Sequence, residues 1–180
     1  MAFWNQASSD PKRAFRFKVN FGLLGNESQS VYLAQTAKRP TFTVTDTTKV
    51  DFMDKAFHFP GKVTWEPVTI KFVDTIAPNV SQITYQYLQQ AGWLSPEGMG
   101  GTNLPKQLQT IGKGNAVQRT GDISVDVLGA DGNKIDGWTL KNAFITKATF
   151  NDLSYASEEI LTVEYAIRYD WAVYAIGANA

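Results

Sequence analysis

Residues 161–172 read LTVEYAIRYDWA. Leu161, Val163, Tyr165, Ile167, Tyr169 and Trp171 alternate with Thr162, Glu164, Ala166, Arg168 and Asp170. Successive side chains of a β-strand point to opposite faces, so this spacing predicts one strand that is greasy on one side and charged on the other. A run of that length spans about 37 Å at roughly 3.3–3.4 Å per residue, about twice the common strand. Such a strand confines the chain to sheet architectures and creates a long edge that must be paired or covered.

Other segments repeat the pattern. AFRFKVNF puts Phe15, Phe17, Val19 and Phe21 on one face and Arg16, Lys18 and Asn20 on the other. QSVYLAQTAK predicts a strand that Pro40 breaks, and TFTVTDTT a short one. VTWEPVTIKFVD alternates Val68, Ile70 and Phe72 with Thr69 and Lys71. AVQRTGDISVDVLG predicts a strand over 119–127, with Ile123, Val125 and Val127 opposite Asp122, Ser124 and Asp126. Asp131-Gly132 favours a tight hairpin turn, and KIDGWTLKNAFITKATF supplies one or two further strands. One helix stands out, in PNVSQITYQYLQQAGW, with Asn79 as N-cap, a Val80, Ile83, Tyr87, Leu88 stripe and Gly92 as stop. The expected class is mainly β: a sandwich or barrel with one flanking α-helix. The 180 residues suffice for one core, and no composition shift divides 1–180 into two domains.

Two stretches resist this reading. DTTKVDFMDKAFHFP, 46–60, fits no clean period, and Val50, Phe52, Met53, Phe57 and Phe59 sit there among charges. It reads as a long loop whose aromatic surface folds back on its own core or docks on a neighbouring copy. Residues 95–115, rich in Gly, Pro and polar side chains, read as a flexible insertion.

Catalytic and metal chemistry find little to work with. There is no cysteine, and the single histidine, His58, lies between aromatics. Asp46, Asp51 and Asp54 match no metal loop, and DGNKID at 131–136 lacks the calcium-loop pattern. Glu158 and Glu159 are adjacent, which on a strand sends them to opposite faces. GMGG and GKGN follow no predicted strand and open no helix, so no phosphate loop is expected. The sequence predicts no enzyme, no metal and no cofactor. A net charge of zero argues against gripping nucleic acid but not against letting DNA pass. No apolar run approaches the ~20 residues of a membrane span. MAFWNQASSDPKR lacks the apolar core of a signal peptide.

Surface is what remains. Five Trp, seven Tyr and eleven Phe are too many for ornament, and several lie on strands with a charged opposite face. Long edges can be satisfied by pairing with identical neighbours in a closed ring. A strand greasy outside and polar inside then suits the wall of a tube.

FWNQASSDPKRAFRFKV, PGKVTWEPVTIKFVD and WTLKNAFITKATFNDLSYASEEILTVEYAIRYDWA, taken in order, resemble the tail-tube proteins of contractile-tailed bacteriophages, the myovirus major tail tube family with its Hcp-like fold. The resemblance implies a β-sandwich or barrel with a flanking helix and a long inter-subunit loop. It implies hexameric rings stacked into a hollow tube inside a contractile sheath, in the virion tail and assembled in the host cytoplasm. The tube would be the conduit for DNA ejection. Implied partners are further copies of the chain, the tail sheath protein, baseplate or initiator and tail terminator proteins, and a tape measure protein in the lumen before ejection. DNA would pass without specific binding, and no membrane is involved. The segment matching the family's stacking loop is 46–60, which makes Val50, Phe52, Met53, Phe57 and Phe59 the expected inter-ring contacts. The N-terminal arm 1–12 and the C-terminal tail 172–180 come next, and 95–115 would lie towards the sheath. The expected lumen-facing residues are Asp122, Ser124, Asp126 and Glu164. The same fold serves type VI secretion and extracellular injection systems, so a tube subunit of such a machine is an alternative, as is a tube initiator or completion protein. A carbohydrate-binding module using Trp65, Trp93 and Trp138 is a fourth reading.

Overall fold

The computed structural model describes residues 11–24, 33–45, 48–93, 110–156 and 158–177. In chain order the strands are β1 (Phe17–Phe21), β2 (Ala34–Ala37), β3 (Phe42–Val44), β4 (Thr48–Phe52), β5 (Lys55–Phe59), β6 (Val63–Trp65), β7 (Val68–Val73), β8 (Ile123–Leu128), β9 (Lys134–Lys141), β10 (Phe144–Phe150), β11 (Thr162–Arg168) and β12 (Trp171–Ile176). Helix α1 is Val80–Ala91, α2 is Lys113–Thr120, and a 3-10 turn follows β1 at Gly22–Leu24.

The period-two pattern decides how the strands stack. One antiparallel sheet runs β1-β8-β9-β12 and a second runs β10-β11-β7-β2. In the first, register puts Val19 beside Val125, Phe21 beside Ile123, and Ile123 beside Leu140. In the second, Ile70 meets Tyr165 and Phe72 meets Val163. These side chains are buried and form one cluster, so the two sheets are the halves of a sandwich with its core between them. Phe21 stacks on Phe72 with centroids 5.5 Å apart, and Tyr165 meets the two rings at 5.6 and 5.8 Å. Each fully buried aliphatic or aromatic side chain here contributes roughly 1.5–3 kcal/mol.

Helix α1 forms where the sequence predicts it. The Asn79 side chain accepts from Gln82 N at 2.7 Å, and Gly92 ends the helix at a φ of 116°. A Cβ at Gly92 would also lie 2.6 Å from the Thr110 carbonyl oxygen, so both conformation and space demand glycine. Asp74 reinforces the start by accepting from Val80 N at 3.1 Å and Ser81 Oγ at 2.5 Å. Val80, Thr84, Tyr87 and Ala91 make the buried face, packed at the β10 side of the sandwich.

Four expectations are corrected. A second helix exists: α2 occupies 113–120, where the reading had the end of a flexible insertion and the start of a strand. Its N-cap is Gly112, without a side-chain hydrogen bond, so local signals are weak. Packing of Ala116 against Tyr87 and Ala91 holds it. Second, strand β8 consequently begins at Ile123. Third, the run 161–172 is not one strand. It breaks after Arg168 and resumes at Trp171 as the edge of the other sheet. Asp170, whose N–H donates to the Lys141 carbonyl, sits in the crossover. Fourth, 46–60 is not an irregular loop: from Thr48 onward it is the hairpin β4–β5. Residues 1–10, 95–109 and 178–180 of the predicted arm, insertion and tail lie outside the described residues.

Candidate functional site

The hairpin β4–β5 follows a second two-stranded sheet, β3–β6. Strands β3 and β6 pair Phe42 with Trp65 and Val44 with Val63; β4 and β5 pair Thr48 with Phe59, Val50 with Phe57 and Phe52 with Lys55. From Val44–Val63 to Thr48–Phe59 both strands advance by four residues, so the two ribbons share one register. Thr45 N donates to the Lys62 carbonyl at 2.8 Å, and at the base Glu66 N donates to the Thr41 carbonyl at 2.9 Å. The tip is Met53-Asp54, with Met53 at a φ of 54°.

Directly opposed residues share a face. In β3–β6 one face carries Phe42, Val44 and Val63 and the other Thr43 and Thr64; in β4–β5 one face carries Val50, Phe52, Phe57 and Phe59 and the other Lys49, Asp51 and His58. The apolar side chains are open to solvent, Phe52 by 63% and Phe59 by 55%. A two-stranded ribbon is marginally stable alone in water, and a contiguous apolar patch marks a contact surface. The root is anchored differently. Trp65 is half-buried and meets Phe42, Tyr169 and Trp138 at 5.5, 6.0 and 6.2 Å between centroids.

The five residues predicted for inter-ring contact are therefore brought together: Val50, Phe52, Phe57 and Phe59 on one face and Met53 at the tip. Phe42, Val44 and Val63 extend that face and were missed. Their signal was present, since the same alternation continues on both sides of 46–60.

The four residues predicted for a lumen are not together. Asp122, Ser124 and Asp126 lie on the outer face of the first sheet, and Glu164 lies on the outer face of the second. Asp126 is buried and paired with Lys134 Nζ at 2.6 Å, and Asp122 with Lys141 Nζ at 2.9 Å. Gly137 gives Asp126 its space: a Cβ there would fall 2.0 Å from Asp126 Oδ1. Glu164 stands opposite Lys71 in register.

At the other end of the first sheet, Asp136 accepts from Lys12 Nζ and from the Tyr174 hydroxyl at 3.0 Å. Burial works to raise the Asp136 carboxyl, but the bonds from Lys12 and Tyr174 outweigh it and hold the group below the usual carboxylate range. Asp131 folds back on Asn133 N at 3.1 Å, as a hairpin turn requires. The Trp138 ring lies among Trp65 and Tyr174 and is half-buried, whereas Trp93 is exposed and meets Tyr85 at 6.3 Å between centroids. Among the described residues no group of three or more His, Asp and Glu gathers as a metal would need, and no helix is long and apolar enough to cross a membrane.

Two packed antiparallel sheets with a helical flank and an exposed ribbon form a fold that is shared with chains of solved contractile injection assemblies. The solved structures that share it are specific. The chain superposes on a chain of the structure of the anti-feeding prophage's tube-terminating cap with a TM-score of 0.66, at 19% identity over 98% of this chain and 99% of that one. It superposes on a chain of the sheath/tube terminator of the extracellular contractile injection system PVC, in the extended state, with a TM-score of 0.61, at 18% identity over 94% and 99% of the two chains. The sheath-tube complex of that system gives 0.57 at 18% identity over 98% and 99%. No family model matches the sequence, and no curated protein matches it.

Proposed function

We propose that this chain is a structural subunit of a tube, which self-assembles into stacked rings forming a hollow conduit within a contractile sheath. The apolar face of the 42–65 arm carries this reading. It is ordered by its own hydrogen bonds and leaves Val50, Phe52, Phe57 and Phe59 uncovered, which suits insertion between copies of adjoining rings. Hexameric rings, a sheath protein outside, baseplate or initiator and terminator proteins at the ends, and a tape measure protein in the lumen complete the proposal. In a contractile phage the cargo would be DNA, passed without specific binding. A chain with zero net charge, whose Asp122 and Asp126 are paired with Lys141 and Lys134, suits that task.

A second reading has an observation of its own. The fold is shared with cap and tube-complex chains of the anti-feeding prophage and PVC assemblies, and a subunit or tube-ending protein of such an injection machine would use the same arm. The role proposed is structural rather than enzymatic, and among the described residues no group of three or more His, Asp and Glu gathers beside the arm.

Negative-stain electron microscopy of the purified protein, with light scattering, tests both readings. Rings or hollow tubes of even width are expected, alone or when seeded with baseplate. A monomer under all these conditions overturns the proposal. Copy number per particle separates a tube subunit from a tube-ending protein, and neighbouring capsid and portal genes separate phage from injection machine.

A further inference from the structure

Helix α1 has no charged residue in its 12 positions, yet Gln82, Tyr85, Gln86, Gln89 and Gln90 all face solvent. Depletion of charge marks the centre of an interface. Between this helix and β10 runs a groove of about 230 Å³, lined by Thr84, Tyr85, Leu88, Ile145, Ala148 and Phe150. One end is closed, where Tyr87 packs on Ile145 and its hydroxyl accepts from Ile145 N at 3.3 Å. The rest is open: Tyr85 and Phe150 are each about half exposed, and the Tyr85 ring leans on Trp93. Among the described residues that line the groove, Lys147 carries the single charge.

The shape selects the occupant. The volume falls below the roughly 300–1,000 Å³ of small-molecule sites. β10 is an edge strand, but the bulge between Ile145 and Lys147 interrupts the regular ladder that a further strand would need. What fits is one or two apolar side chains brought in on a narrow support. The β4–β5 hairpin presents such a pair at its tip, Phe52 at 63% and Met53 at 89% exposed. Asp54 beside them is opposite in charge to Lys147, and among the described residues neither has an ion-pair partner.

Within one chain Phe52, Met53, Tyr85 and Phe150 all stay exposed, so the tip does not fill its own groove. A tip and a groove on different parts of one molecule make a heterologous contact. Each contact leaves a further tip and a further groove free, which builds rings or stacks rather than closed dimers.

We propose that the 52–54 tip of one copy seats in the α1–β10 groove of the next, with Asp54 against Lys147. This deepens the tube reading by naming the receptor for the hairpin, and it rests on that reading for its partner, a second copy of the chain.

The sequence has no cysteine, so introduced thiols report cleanly. Lys55→Cys/Thr146→Cys, treated with a short bismaleimide, is expected to give a ladder of dimers, trimers and larger species, while each single variant stops at dimers. In that background Phe52→Asp should cut the ladder at least tenfold, and Phe52→Leu should keep it. Asp54→Lys and Lys147→Asp should each cut it several-fold. The two reversals together in one chain should restore it, which also shows that both are folded. A ladder indifferent to Phe52→Asp, or reversals that fail to restore one another, overturns the inference. So does a Thr146→Cys thiol that resists maleimide in the dilute monomer, because the groove would then be filled from within the chain. Electron microscopy of the same samples separates this contact from the reading beneath it. Tubes without a ladder overturn the contact and leave the tube reading standing. A ladder without tubes in any version does the reverse, and the loss of both overturns both.

Discussion

At the scale of single residues the core is organised around Tyr165. Thr84 Oγ1 donates to the Val80 carbonyl at 2.7 Å, and a hydroxyl has one hydrogen, so the 2.5 Å contact between Thr84 and Tyr165 is donated by the phenol. Burial pushes the Tyr165 pKa up to about 12. A raised pKa means the unfolded chain ionises first. Stability should hold below pH about 10 and fall by roughly 2–3 kcal/mol as pH rises towards about 12. Tyr165→Phe should cost about 1 kcal/mol near neutrality and flatten that alkaline loss. Urea midpoints at neutral and alkaline pH read both, and an unchanged alkaline slope would assign the loss to another group. Asp136 has the opposite sign. Its lowered pKa contributes stability above the ordinary carboxylate value, which is lost as pH falls through the folded pKa. Asp136→Asn should therefore destabilise at neutral pH and shift acid unfolding less than it shifts neutral stability, in denaturation curves taken at both.

At the scale of elements the arm is the testable unit. Phe57→Asp/Phe59→Asp places charges on side chains already about half exposed, so the melting temperature should move by only a few degrees, as for an ordinary surface change. Assembly should fail. Lys49→Glu, on the polar face, should leave assembly intact. Equal effects from the two faces would show that the arm acts by general stability rather than by its apolar side. The ribbon also shows what the sequence concealed. Alternation runs on even numbers through Phe42, Val44, Val50 and Phe52, and on odd numbers through Phe57, Phe59, Val63 and Trp65. The Met53-Asp54 turn reverses the phase and has no glycine to announce it, so a fixed-phase reading finds no period. The converse error occurs at 161–172. Apolar residues keep step through Tyr169 and Trp171, although the chain changes sheets between them, and the side chains facing inward pass from Ile167 and Tyr169 to Ala172. Strands β1, β7 and β11 and helix α1 were legible because each buries one continuous face of its own. Helix α2 was not, because contacts distant in sequence stabilise a weak local helix.

At the scale of the molecule the open question is which outer face of the sandwich would line a conduit, since Asp122, Ser124 and Asp126 lie on one and Glu164 on the other. The first sheet's face carries Lys18, Lys134 and Lys141 against Asp122 and Asp126, with small Asn20, Ser124 and Thr139 between. Among the described strand residues, the second carries Lys71, Lys147 and Arg168 against Glu164. Each phosphate neutralised by a fixed cation adds affinity and slows sliding, so the less basic face is the better wall for passing DNA. The prediction is that Ser124→Cys in assembled tubes reacts with a small maleimide but not with one carried on a polymer wider than the lumen. Thr149→Cys, on the second sheet's outer face opposite Glu164 in register, should react with both. The reverse pattern would move the lumen to the second sheet and to Glu164. Protection of both positions from both reagents would place these faces in subunit seams, and the conduit wall would then have to be sought on the arm's polar side, among Lys49, Asp51 and His58.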